Sequence, residues 1–160
     1  MRIAIILISI LLILNLNLSG QIRDIQGLII SEDFEELPNV RIQNIDTMLI
    51  GETDLNGHFK IEIPQKTDKL LLSFIGMEWA TIELTQDCDK IEIIMMYDAI
   101  YDFMTLRKVD RLRLKRFNKL PELHKIAYKK GIFLTELQCY KQDFVAIKPR
   151  LNEIRKKKNR

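Results

Sequence analysis

The chain has 160 residues, 47% hydrophobic and 29% charged, with 6 Gly, 4 Pro and a formal net charge of +3. That composition excludes a wholly disordered or collagen-like chain, and the length allows one domain plus an appendage, not two full domains. Only the first residues form a run long and apolar enough to suggest a membrane, which excludes a multi-span transporter.

Residues 1–20 read as an export signal. Met1-Arg2 supplies a positive end, Ile3 to Leu14 is apolar except for Ser9, and Asn15 to Gly20 turns polar and small. This is the order of a secretory signal. As a helix, Ile3–Leu18 would reach about 24 Å, short of the roughly 30 Å hydrocarbon core. Cleavage near Gly20 is expected, leaving Gln21 first; the alternative is an uncleaved N-terminal anchor. No Cys follows the apolar run, so a lipid-modified N-terminus is not expected.

Residues 21–97 carry short β-type runs separated by turn signals. They are Ile25–Ile30, Val40–Gln43, Thr47–Glu52, His58–Ile63, Leu70–Ile75, Met77–Leu84 and Lys90–Met96. The fourth alternates cleanly, with Phe59, Ile61 and Ile63 on one face. Pro64 ends it, because proline has no N–H for a ladder. Asp54, Asn56 and Gly57 form a turn before Phe59, and Gly76 permits a sharp corner. About seven strands at short spacing predict a mainly β protein built as an antiparallel sandwich. In the last run Ile91, Ile93 and Met95 face one side, while Ile94 and Met96 face the other. That second apolar face needs cover, and the C-terminal part of the chain is the available cover.

Four segments, in order, resemble a known family. Gly27-Leu28-Ile29-Ile30, Glu36-Leu37-Pro38-Asn39-Val40-Arg41-Ile42, Glu52-Thr53-Asp54-Leu55-Asn56-Gly57-His58-Phe59 and Leu72-Ser73-Phe74-Ile75-Gly76 look like the carboxypeptidase-like regulatory domain family, whose pattern includes a Leu-Pro-Gly-Val turn, a Thr-Asp-x-x-Gly-x-Phe turn and a Phe-Ser-x-Ile-Gly-Tyr corner. The departures are Asn39 for the usual Gly and Met77 for the usual Tyr. The resemblance covers about Ile22 to Met96, roughly half the chain. It implies a seven-stranded prealbumin-like, transthyretin-type sandwich without catalytic activity. Such domains occur behind metallocarboxypeptidase catalytic domains, at the periplasmic N-terminus of TonB-dependent receptors, and in small exported proteins of Gram-negative bacteria. Asp54, Asn56, Gly57, Phe59 and Gly76 are read as structural turn and core residues. A Ca²⁺ site at Asp54 and Asn56 would lack the six to eight oxygens that the ion takes.

Cys88 and Cys139 allow one pairing, and export would favour it. A bridge would close a loop of about 50 residues, worth roughly 4 kcal/mol in the chain-entropy model. The spacing leaves open either a bridge or two separate thiols.

Charge divides the chain. Residues 21–106 hold 6 Lys+Arg against 17 Asp+Glu, net −11, and residues 107–160 hold 18 against 5, net +13. The simplest reading lays the basic segment against the acidic one; another turns it towards anionic lipid, polysaccharide or an acidic protein. Residues 98–150 read as a basic helical extension and 151–160 as a disordered tail. The first helix is predicted over Ala99–Phe117, with Phe103, Leu106, Val109 and Phe117 on one stripe. Pro121 suits the first turn of a second helix and Gly131 its C-terminal cap. Leu123, Ile126 and Ala127 form that helix's apolar face.

No catalytic set, metal site or cofactor is expected. His58 and His124 lack the spacing of a zinc pair, phosphate loops and Gly-x-Ser-x-Gly elbows are missing, and a Cys139–His124 pair has no orienting third group. Trp79 is read as a core or edge aromatic ahead of a sugar platform. The expectation is a non-catalytic periplasmic or cell-envelope protein that binds a protein partner. The alternative is binding of anionic lipid or polysaccharide through the basic segment. Nucleic acid is disfavoured by export and by the lack of aromatic-interleaved basic motifs.

Overall fold

The computed structural model describes residues 22–85, 88–147, 149 and 151. Residues 1–20, read above as an export signal, and residues 152–160 of the expected tail lie outside the described residues. The strands are β1 (Ile22–Ser31), β2 (Arg41–Gln43), β3 (Leu49–Glu52), β4 (His58–Pro64), β5 (Lys69–Ser73), β6 (Ala80–Leu84), β7 (Lys90–Met95) and β8 (Tyr140–Asp143). Two helices, α1 (Leu106–Phe117) and α2 (Leu120–Lys129), separate β7 from β8. Among the described residues no helix is long and apolar enough to cross a membrane.

The strands form two sheets, ordered β4-β1-β7 and β3-β2-β5-β6-β8. The protein is therefore mainly β, with two sheets and C-terminal helices. Two expectations need correction. The described strands number eight rather than seven, because the extension contributes β8 to the larger sheet, antiparallel to β6 from Thr81↔Asp143 to Leu84↔Tyr140. The sandwich is also not wholly antiparallel: β1 and β7 run parallel, from Gln26↔Lys90 to Ser31↔Met95. Parallel neighbours need a long crossover, and the whole of β2–β6 supplies it.

The inner faces make one core. Ile25 and Ile29 of β1, Phe59, Ile61 and Ile63 of β4, and Ile91 and Ile93 of β7 pack against Ile42, Leu70, Leu72 and Ile82 of the opposite sheet. Burial reports which faces are covered. Residues of β4 alternate buried and exposed, so its outer face is solvated. All of β7 after Lys90 is buried, as is β1 from Leu28 to Ser31. Continuous burial marks a strand covered on both sides. The cover over this second face is the extension: Leu28, Ile30, Ile94 and Met96 pack with Leu120, Ala127 and Phe133.

Helix α1 starts later than its apolar stripe predicts. Thr105 is its N-cap, and its hydroxyl accepts from the Lys108 N–H at 3.4 Å. A capping hydroxyl satisfies an N–H that the helix itself cannot, so Ala99–Thr105 stays outside. Phe103 is therefore not a helical stripe residue; it has φ +58° and is fully exposed. Of α1's residues only Val109 is buried. In α2 the buried residues are Leu120, His124 and Ala127, with Leu123 and Ile126 half-buried. Past its end, the Gly131 N–H donates to Tyr128 O at 2.9 Å and the Ile132 N–H to Ala127 O at 3.0 Å, while Gly131 takes φ +73°. This paired pattern requires a left-handed residue, which glycine adopts without a Cβ penalty. It turns the chain so that Phe133 enters the sheet face.

Candidate functional site: the docked extension and the open end

The turn residues named from the sequence build one corner of the sandwich. Asp54 Oδ1 accepts from Asn56 N–H and His58 N–H, both at 2.9 Å. Gly57 has φ +76°, and a Cβ there would lie 2.6 Å from Ile29 O, so both conformation and space demand glycine. Phe59 is buried in the core. Gly76 also has positive φ, +79°, and its carbonyl accepts from Asp98 N–H at 2.9 Å.

Thr53, which the sequence reading does not single out, ties two motifs together. Its buried hydroxyl donates to Leu37 O at 2.6 Å and accepts from Val40 N–H at 2.8 Å. Asn39, between them, has φ +58°. After Gly, Asn is among the side chains best suited to that region.

Cys88 and Cys139 are joined in a disulfide, with Cα atoms 5.7 Å apart. The bond fastens the approach to β8 beside the start of β7. Cys139 therefore offers no thiol nucleophile. Next to it the Tyr140 hydroxyl donates to Glu92 O at 3.1 Å. Burial pushes the Tyr140 phenol well above its usual range.

Glu92 is the polar lock of the extension. Its buried carboxylate accepts from Leu134 N–H at 2.6 Å, and from Thr135 N–H and Oγ1–H at 3.0 and 2.7 Å. His124 lies alongside: its Nε2 meets Thr135 O at 3.0 Å and its ring is 4.7 Å from that of Phe133. Nδ1 is buried and has no hydrogen-bond partner among the described residues. Burial holds the imidazole below its usual pKa, against the opposing pull of Thr135 O and Glu92. A lone Glu inside the apolar run Ile91–Met96 was the available sequence signal, since it shares its face with Ile94.

Two arginines of α1 link the halves by charge. Arg113 forks onto Glu78, Nε to Oε1 at 2.8 Å and Nη2 to Oε2 at 2.6 Å, with little of either side chain exposed. Arg116 pairs with Glu32 and also donates to Tyr97 O at 3.0 Å. The Glu78 hydrogen bond raises the Arg113 pKa against burial; for Arg116 the burial effect is larger, but Glu32 and Tyr101 outweigh it. The remaining cations of α1, Arg107, Lys108, Arg111 and Lys115, are exposed.

Two of the concave regions beside the docked segment lie towards opposite ends of the strands. One, of about 380 Å³, sits where the outer face of β4-β1-β7 meets Leu134, with His58, Lys90 and Glu92 in its lining. The other, of about 490 Å³, lies at the opposite end of the strands, lined by Met77, Glu78, Trp79, Asp98, Arg113 and Val145. Trp79 is neither a core nor a strand residue; it precedes β6 and is 60% exposed. On the same end, Ile75 is 95% and Ile100 is 87% exposed. Among the described residues no group of three His, Cys, Asp or Glu side chains is disposed to hold a metal ion.

No family model matches the chain, and no curated protein matches it.

Proposed function

We propose that the protein is an exported, non-catalytic member of the carboxypeptidase-like regulatory domain group, with a prealbumin-like sandwich, acting in a Gram-negative periplasm or cell envelope as a protein-interaction module. The family reading is supported by the way the first two motifs meet through the Thr53 hydroxyl. It is also supported by the positive φ of Asn39, which accounts for a residue where the group usually has Gly. The observation that carries the interaction reading is the open end. Ile75 and Ile100 stand almost wholly in solvent there, although the chain has enough core to bury large residues elsewhere. Clustered exposed apolar residues mark interaction sites.

The test is crosslinked recovery of a partner from envelope extract. A chain cut at Leu106 would be an unfair comparison, because it loses β8 and Phe133 and bares the apolar face of β1 and β7. The intact chain and an Ile75→Asp, Ile100→Asp variant should be compared. Recovery of one specific protein by the first and not the second is expected; equal recovery by both would move the interface elsewhere, and no specific recovery by either would end the reading.

A second reading has its own observation: four exposed cations on α1 follow directly after Phe103. Anionic lipid or polysaccharide binding through them would weaken steeply with salt. Salt-insensitive binding, or none to anionic vesicles or polysaccharide, would remove it.

A further inference from the structure

We infer that the 490 Å³ cavity beside Trp79 binds a lysine or arginine side chain presented by an extended segment of the partner. This rests on the interaction reading and gives it a chemistry.

Charge supplies the first argument. Arg113, the cation in the cavity wall, is already matched: Glu78 takes its fork, Asp110 lies 3.4 Å from Nη1, and Nη1 also donates to Val145 O at 3.0 Å. Asp98 lines the same cavity, is exposed, and its carboxylate has no ion-pair or hydrogen-bond partner among the described residues. Among the described residues that line the cavity, two carboxylates, Glu78 and Asp98, stand against the single guanidinium of Arg113, a balance that favours a cation over an anion.

The second argument is the aromatic surface. Trp79 lines this cavity and is more than half exposed. An indole face attracts ammonium and guanidinium groups more strongly than any other side-chain ring. The third is the remainder of the wall. Met77 and Val145 are apolar, which suits the methylene stem of Lys or Arg and offers nothing to the hydroxyls of a sugar. Backbone geometry sets the parts in order. Residues 76–78 run antiparallel to 96–98, through Glu78 N–H to Met96 O at 2.8 Å and Asp98 N–H to Gly76 O at 2.9 Å. Asp98 is therefore held across from Gly76, the neighbour of the exposed Ile75, and two residues before the exposed Ile100. A cation in the cavity would have apolar neighbours of its own segment lying against those two residues.

Trp79 is the only tryptophan of the chain, so its fluorescence reads this site alone. The purified protein should be titrated with acetyl-Ala-Lys-Ala-amide, with the same peptide carrying norleucine for Lys, and with a neutral oligosaccharide. A saturable change with the Lys peptide alone is expected. Asp98→Asn should weaken it about 2–5-fold, the range for an exposed ion pair, while leaving the unfolding transition unmoved. Equal responses to norleucine and lysine, a response to the oligosaccharide only, or no saturable change would each overturn the inference. The failures separate cleanly. If the envelope partner is recovered as well by Asp98→Asn and Trp79→Ala as by the unchanged protein, and the peptide does not titrate, the interaction reading stands and this site falls. If the peptide titrates but no partner is recovered, the site stands and the wider reading falls.

Discussion

The sandwich and the extension are held by different physics. From β1 to β7 the chain carries its instructions locally: alternation in β4, a side-chain-capped turn at Asp54, left-handed Gly57. The extension carries few. Helix α1 buries Val109 alone, and β8 is four residues with one fully buried side chain, Tyr140. It is fixed instead from outside, by a disulfide, a carboxylate on β7, two arginine pairs and one phenylalanine. A segment of this kind can be ordered without being stable by itself, since most helical stability in proteins comes from tertiary packing. Breaking the tethers one at a time should therefore measure how far the two regions are one cooperative unit.

The largest effect is expected at Phe133, fully buried where the extension meets β1 and β7. Phe133→Ala should cost about 3–5 kcal/mol, read by denaturant unfolding. A single shifted transition would mean one unit; two transitions would mean that the extension undocks before the sandwich melts.

Removing the disulfide by Cys88→Ser with Cys139→Ser comes next. A typical loss is about 2–4 kcal/mol, read as a lower denaturation midpoint than that of the oxidised protein. If reduction leaves the midpoint in place, β8 is held by its ladder and by Tyr140 without the bridge.

Glu92→Leu removes the acceptor of three hydrogen bonds and takes their partner from the Leu134 and Thr135 N–H groups. About 1–3 kcal/mol is expected, with faster amide exchange at Leu134 and Thr135 and little change in β4. Uniform loss of protection across both sheets would contradict a tether acting on the extension alone. Thr105→Ala should cost about 1 kcal/mol, confined to the start of α1.

The smallest effect near neutrality is that of His124. Its folded pKa lies below the ordinary value of 6.5, so the folded state binds fewer protons than the unfolded chain as pH falls. Its contribution to stability is complete above about pH 6.5 and is lost progressively below it. The expected outcome is a fall in stability from pH 7 to 5 that His124→Gln makes shallower. An unchanged slope would assign the acid sensitivity to other groups.

Much of the sandwich was legible in the sequence because its signals are short-ranged. Strand alternation has period two, and turn residues act through their own backbone neighbours, so a window of ten residues holds the information. Asp54, Gly57, Phe59 and Gly131 were readable for that reason. Thr105 was readable too but lost to a misleading stripe: Phe103 and Leu106 are correctly spaced for a helix, yet the hydroxyl cap between them starts the helix after Phe103. The candidate site was mostly illegible. Trp79, Asp98, Arg113 and Val145 are spread over nearly seventy residues and belong to four different segments, with no local pattern to connect them.

By itself the sequence determined a mainly β front half, a basic helical region behind it, and an apolar strand face in need of cover, all of which follow from periodicity, glycine conformation and charge. Tertiary structure alone decided that β1 and β7 lie parallel, that β8 joins the larger sheet, that Cys88 meets Cys139, and which carboxylate meets which arginine. Each of those depends on groups brought together across long stretches of chain. Strand pairing and ion pairing are selected by how well whole faces pack, a property no local window contains.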